Sequence, residues 1–98
     1  MKDFDYQQLN EIIHSRIRLA IMSVLISLEE SEFRFLKEKV NTTDGNLSVH
    51  LKKLEDAGYI SVRKEFIERK PVSSYKLTEK GSEALGLYIK KLEILIRK

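Results

Sequence analysis

Hydrophobic residues in the first part of the chain recur at the spacing of an amphipathic helix. From Ile17 to Leu28 they return every three or four positions, and Ser15 stands just before them as an N-cap. The acidic run at residues 29–32 breaks this stripe and predicts a solvated turn. A second, short helix is expected next, because its apolar residues share one face. These residues are Phe33, Leu36 and Val40.

The segment from about Thr43 to Ala57 predicts a third helix with two different faces. The hydroxyl of Thr43 or Thr42 can cap its start, and Gly58 suits the left-handed position after its end. At about 100° per residue, three leucines form the stripe expected to be buried: Leu47, Leu51 and Leu54. Small, polar and cationic residues lie opposite: Gly45, Asn46, Ser48, Val49, Lys52 and Lys53. This pattern suits a helix in the DNA major groove, although an ordinary amphipathic surface helix shares it.

After Gly58 the pattern changes to alternation with a period of two, which predicts strands. Residues 60–66 form the first strand, residues 68–71 a hairpin tip marked by a proline, and residues 72–77 the return strand. Thr78 then begins the last helix. The order helix, helix, helix, hairpin, helix predicts a winged helix-turn-helix. This is a mainly α fold with a small β-hairpin (α+β), completed here by a C-terminal dimerisation helix.

The last helix has two apolar faces. One wide stripe is expected to pack on the core: Leu85, Tyr88, Ile89, Leu92, Leu95 and Ile96. Leu87 and Ile94 lie nearly opposite, and we expect a second copy of the chain to cover them as a dimer interface, although two exposed apolar residues are common on any surface. The expected organisation is a single winged-helix DNA-binding domain over residues 1–98. Its helix-turn-helix and wing occupy 1–78, and its dimerisation helix occupies 79–98.

Length, charge and cysteine content narrow the class of protein. Ninety-eight residues suffice for one domain. Residues 1–40 hold six Lys/Arg against seven Asp/Glu, and residues 41–98 hold twelve against eight. The first part therefore carries −1 and the second +4, so the positive excess lies in the C-terminal part. This fits a polyanion partner or simply a lysine-rich solvated surface.

Without cysteine there is no disulfide framework and no thiolate metal site. No apolar run approaches the roughly 20 residues that span a bilayer, and the N-terminus is unlike a signal peptide, so we expect a cytoplasmic protein.

Few residues outside the third helix have distinctive chemistry. Arg69 and Lys70 at the hairpin tip suit contact with the DNA backbone or minor groove, although Glu65 and Glu68 dilute their charge and a solubilising loop has a similar composition. His50 lies at the edge of the predicted buried stripe, where packing and the donation of a hydrogen bond explain it better than a metal site. No nucleophile–base pair or glycine-rich phosphate loop is present, so no enzyme, cofactor or metal is predicted.

The segments TDGNLSVHLKKLEDAGYI and KxFxxRKPxSxYxLTEKG carry a family resemblance. Between Arg16 and Leu85 the sequence resembles the compact winged-helix transcription regulators related to the MarR and ArsR groups. The resemblance implies a homodimer that binds a partly palindromic operator in double-stranded DNA, in a bacterial or archaeal cytoplasm. It matches these residues to the groove-facing helix and the wing tip: Thr43, Asp44, Gly45, Asn46, Ser48, Val49 and Lys52, then Arg69 and Lys70. The cysteine motif of ArsR metal sensors is absent, and MarR proteins are longer, so no effector is predicted.

The predicted function is therefore sequence-specific double-stranded DNA binding by a homodimeric transcription regulator. The recognition helix, about 43–57, is expected in the major groove, and the wing, about 66–73, on the backbone or minor groove. The alternative is a winged-helix protein–protein interaction module without specific DNA binding. A docking face for protein would be apolar around Val49, whereas its neighbours here are polar or charged.

Overall fold

The computed structural model describes residues 6–97. Within this range a 3-10 turn (Tyr6–Gln8) precedes four α-helices and three strands: α1 (Arg16–Ile26), β1 (Ser31–Glu32), α2 (Phe33–Val40), α3 (Asp44–Asp56), β2 (Ile60–Ile67), β3 (Lys70–Leu77) and α4 (Glu79–Ile96). The strands form one antiparallel sheet in the order β1–β3–β2. The predicted α+β fold, with three helices, a hairpin and a last helix, is confirmed.

Hydroxyl side chains cap three of the helices. Ser15, Thr43 and Thr78 each accept a hydrogen bond from the backbone amide three residues later, at 3.3, 3.1 and 2.9 Å. Such a cap contributes about 1 kcal/mol and satisfies an amide that the helix itself leaves unpaired. These interactions are local, and the helix starts predicted at α1, α3 and α4 are correct.

One hydrophobic core draws residues from every α-helix, from β2 and from the turn before α1. Its fully buried side chains are Ile13, Ile21, Met22, Leu25, Leu36, Leu47 and Leu54. The leucine stripe predicted for α3 is buried, because Leu51 is also only 3% exposed. Burying each such side chain contributes about 1.5–3 kcal/mol, so the core fixes α3 with its opposite face outward.

The acidic run before α2 is not wholly a solvated turn, because Ser31 and Glu32 form strand β1. Ser31 pairs with Tyr75 and Glu32 pairs with Ser74, and both serines are buried. A two-residue strand is too short to show alternation, and its partner lies far along the chain. Hydrophobic periodicity therefore could not predict it.

The hairpin turns more tightly than predicted. Ile67 pairs with Lys70, so the turn contains only Glu68 and Arg69, and Lys70 and Pro71 belong to β3. Both turn residues have positive φ, 52° at Glu68 and 68° at Arg69, as a two-residue type I′ hairpin turn requires. Pro71 fits a strand here because β1 pairs only with the other end of β3 and leaves this edge open.

The end of α3 and the start of α4 are in close contact. Gly58 follows α3 with φ 81°, the left-handed conformation predicted for it. Thr78 donates its amide to the Tyr59 carbonyl at 3.0 Å and its hydroxyl to the Gly58 carbonyl at 2.7 Å. A Cβ on Gly81 would overlap the Tyr59 carbonyl oxygen. This packing fixes the direction in which α4 leaves the sheet.

Candidate nucleic-acid interface

The face of α3 opposite its leucine stripe is open to solvent. All eight residues predicted on or beside this face are exposed: Thr43, Asp44, Gly45, Asn46, Ser48, Val49, Lys52 and Lys53. Val49 is the one large apolar side chain of the set, at 55% exposure. This set is termed the polar face of α3. Its small and hydrogen-bonding side chains suit contact with base edges and phosphates.

Gly45 lies on the polar face without a structural need for glycine. Its φ is not positive, and no atom outside its own helix lies within 4 Å of where a Cβ would stand. Alanine has the higher helix propensity, so the fold alone would favour a side chain here. Close approach of a ligand to the helix backbone is an advantage that glycine does give.

Two lysines in this region are paired with carboxylates. Lys52 Nζ lies 3.1 Å from Asp56 Oδ1, one turn along α3, and Lys37 Nζ lies 2.8 Å from Asp44 Oδ1. The hydrogen bond to Asp56 raises the pKa of Lys52. All four side chains are at least 42% exposed, and such pairs contribute only about 0–1 kcal/mol, so a phosphate can replace either carboxylate. The spacing of four residues could have revealed the Lys52–Asp56 pair from the sequence. The Lys37–Asp44 pair joins α2 to α3 and depends on how these helices pack.

The basic residues of the wing differ in whether they pair with carboxylates. Arg69 and Lys70 are exposed at the end of the hairpin, and no carboxylate of residues 6–97 forms an ion pair with either. Arg63, by contrast, binds Glu30 at 2.6 Å and also pairs with Glu65. The hydrogen bond from Arg63 lowers the pKa of Glu30. Arg63 therefore joins the wing to the loop before β1 and compensates acidic charge there.

Arg18 on α1 positions α3, a role that the sequence did not reveal. Its Nη1 lies 2.8 Å from His50 Nδ1, and its Nε donates to the Ile12 carbonyl at 2.5 Å. Because a guanidinium only donates, Nδ1 of His50 accepts this bond, and Nε2 of the neutral ring carries the N–H that can donate. Burial lowers the pKa of His50, and the charges of Arg18 and Lys53 lower it further. At neutral pH an uncharged His50 therefore holds α3 against α1.

A family model described as a winged helix DNA-binding domain matches residues 17–96. The chain belongs to this family. The uncharacterized protein MJ0432 of Methanocaldococcus jannaschii is 44% identical over 79 residues, which cover 81% of this chain and 86% of that protein. The transcriptional regulator homologue protein of Pyrococcus horikoshii OT3 is 26% identical with a TM-score of 0.83, over 90% of this chain and 87% of that one. A MarR-family regulator of Silicibacter pomeroyi shares the fold at 16% identity, with a TM-score of 0.67 over 92% of this chain and 60% of that one.

The resemblance to winged-helix transcription regulators is thus confirmed, and the similar structures are described as transcriptional regulators. Among residues 6–97, no group of three or more His, Asp or Glu side chains could hold a metal ion. The helices of that same range include none with the length and apolarity needed to cross a membrane.

The winged-helix domain also exposes apolar residues on α4. Leu87 and Ile94, here termed the α4 seam, are 55% and 60% exposed and lie outside the core as predicted. Ile89 and Ile96 are 47% and 73% exposed, although they were expected in the packed stripe. The helix extends past the core, and Tyr88 is its last fully packed residue. The C-terminal half of α4 is therefore less covered than its sequence predicts.

Proposed function

We propose that this winged-helix protein is a cytoplasmic transcription regulator that binds specific sequences of double-stranded DNA as a homodimer. In this proposal α3 is the recognition helix in the major groove, and the wing, residues 66–73, contacts the backbone or the minor groove. The polar face of α3 is the observation that supports it most, because it is exposed along its length while the opposite leucine stripe is buried. With Val49 as its one large apolar residue, this face suits DNA better than a protein partner.

The residues of the polar face divide into those that contact DNA and those that position the helix. The Asn46 amide can form two hydrogen bonds with adenine, and Lys52 can reach guanine or a phosphate once it leaves Asp56. The Thr43 hydroxyl accepts the capping bond that holds the start of α3, and its O–H can still donate to a phosphate. Asp44 pairs with Lys37, which compensates the repulsion between its carboxylate and phosphates.

The homodimer is proposed on the apolar residues that α4 leaves exposed. Leu87 and Ile94 lie two turns apart on one line of the helix, and a twofold interface contains each of them twice. Burying a leucine or isoleucine side chain contributes about 1.5–3 kcal/mol, so four of them can offset the several kcal/mol that association costs. Two recognition helices about one turn of DNA apart would then contact the half-sites of a partly palindromic operator.

Selection of bound sequences from a random duplex library tests the proposal. We expect an enriched motif with two related half-sites whose centres lie about 10 base pairs, or a multiple of that, apart. Selection with Asn46→Ala should lose the preference at one position in each half-site. Lys76→Ala, at an exposed lysine near the end of α1, should keep the parental motif. Folded parent protein that enriches no sequence would contradict specific DNA binding.

A further inference from the structure

An apolar surface that the core does not use lies at the end of the wing. Phe66 is 77% exposed, more than any other large hydrophobic residue in the described range. The strand register sets it directly opposite Pro71. Ile67 is 45% exposed and points to the other face of the hairpin, because side chains alternate along a strand. The end of the wing is thus apolar on both faces.

The exposed ring of Phe66 is carried by a regular two-stranded ribbon. In a hairpin with a two-residue turn, the residues that flank the turn form a hydrogen-bonded pair, so the next pair, Phe66 and Pro71, is not hydrogen-bonded. In such pairs the side chains approach most closely, with Cα atoms about 4.5 Å apart. The register therefore places the proline beside the phenylalanine on the same face of the hairpin, where the two residues form one apolar projection.

The turn that follows Phe66 and Ile67 holds Arg69 in a backbone conformation that is unfavourable for a residue other than glycine or asparagine. Arg69 and Glu68 both adopt positive φ, where asparagine and glycine are the favoured residues of a type I′ turn. Backbone conformations of this kind are concentrated at functional sites. The turn is therefore better suited to presenting Arg69 than to stabilising the hairpin.

The charges around Phe66 favour a polyanion as its partner. Lys64 lies on the same face two residues earlier, Arg69 lies in the turn, and Lys70 begins β3 opposite Ile67; the turn itself holds the single carboxylate of Glu68. The other acidic residue of the wing, Glu65, pairs with Arg63, which it shares with Glu30. An apolar projection flanked by cations matches a DNA groove, which offers stacked bases and sugars between two rows of phosphates.

We propose that Phe66, with Pro71 beside it, is an apolar wedge that enters the minor groove of duplex DNA and unstacks a base step there. This inference rests on the proposed DNA-binding function and specifies how the wing takes part in it. Apolar side chains inserted between base steps are a general means of kinking DNA from the minor groove. The wing would then favour sequences that deform easily, without hydrogen bonds to bases.

Duplexes with the selected motif and 2-aminopurine at successive flanking steps test the wedge, because the fluorescence of this base rises when it is unstacked. We expect a rise at one step on each side of the motif with the parent protein. Phe66→Ala should abolish the rise and weaken binding about tenfold or more, without changing the slope of log affinity against log salt. Arg69→Ala should keep the rise and reduce that slope by roughly one unit.

Two variants serve as controls for the size and shape of the side chain. Ile67→Ala removes apolar surface from the opposite face of the hairpin and should keep the fluorescence rise, and Phe66→Leu should retain most of the affinity. All variants should unfold near the parental temperature, since the side chains are exposed. If Phe66→Ala keeps the parental affinity and the fluorescence rise, the wedge is overturned while the proposed function stands. The same holds if Phe66→Ala changes only the oligomeric state seen by sedimentation. A parent that binds no duplex would overturn the proposed function together with the wedge.

Discussion

Two helices of this small domain, α3 and α4, pack on the same core and expose faces of opposite chemistry. The polar face of α3 presents small, hydrogen-bonding and cationic side chains, with Val49 as its one large apolar residue. From its middle onward, α4 leaves four large apolar side chains open: Leu87, Ile89, Ile94 and Ile96. The core determines which way each helix faces, and the composition of the remaining face determines the partner it suits. A polyanion fits the first helix, and an apolar surface fits the second.

Charging the α4 seam should give the largest effect. Leu87→Glu combined with Ile94→Lys would place four charges in the proposed interface and should weaken dimerisation by about 4 kcal/mol or more. Sedimentation equilibrium at micromolar concentration should then find folded monomers that bind operator DNA poorly. Ser82→Glu, an exposed position roughly 140° around α4 from Leu87, should leave the dimer intact. A parent that sediments as a monomer while binding a palindromic site tightly would refute the interface.

The two glycines of α4 differ in their surroundings: Gly81 lies in the packed start of the helix, and Gly86 lies where the helix is open. Gly81→Ala should lower the free energy of unfolding by about 3 kcal/mol or more, because its Cβ would overlap backbone at Tyr59. Gly86→Ala should raise it by up to about 1 kcal/mol, since nothing lies within 4 Å of a Cβ there and alanine favours the helix. Urea denaturation measures both. Equal unfolding free energies for the two variants would mean that the contact between α3 and α4 does not constrain the fold.

Features set by neighbours along the chain could be predicted from the sequence. Ser15 and Thr43 cap helices through an amide three residues away, and the leucine stripe of α3 follows from helical spacing. For the same reason the polar face of α3 could be assigned before any contact was known.

Features set by distant parts of the chain could not be predicted. Strand β1 depends on pairing with β3, and Arg63 finds Glu30 only because the sheet brings them together. The tight hairpin turn was hidden because Glu68 and Arg69 are not the residues that favour positive φ. The exposure of Ile96 depends on how far the core extends along α4, which periodicity does not report.

The attachment of α3 to α1 predicts a small pH dependence of stability. The pKa of His50 is lowered from 6.5 in the folded state, so the unfolded chain binds this proton more strongly. Stability should therefore fall as pH decreases through 6.5 and down past the folded pKa, but only slightly because the ring is partly exposed. The lowered pKa of Glu30 also makes stability depend on pH, but only at pH values below about 4.5, where this carboxylate begins to bind a proton in the unfolded chain.

Urea midpoints measured between pH 7.5 and pH 5 isolate the His50 contribution. His50→Gln can still accept a hydrogen bond from Arg18 but does not titrate, so its stability should depend less on pH than that of the parent. Parallel pH curves for the two proteins would show that His50 has the same pKa in the folded and unfolded chains.

Recognition of bases by the polar face of α3 is tested most directly by the affinities of Lys52→Ala for the selected operator and for random duplex. Loss of a base contact should cost about 1–3 kcal/mol on the operator and much less on random duplex. Lys76→Ala, which removes the same charge away from α3, should change both affinities equally little. If Lys52→Ala instead binds both duplexes as tightly as the parent, Lys52 makes no contact with DNA and the assignment of α3 as the recognition helix is contradicted.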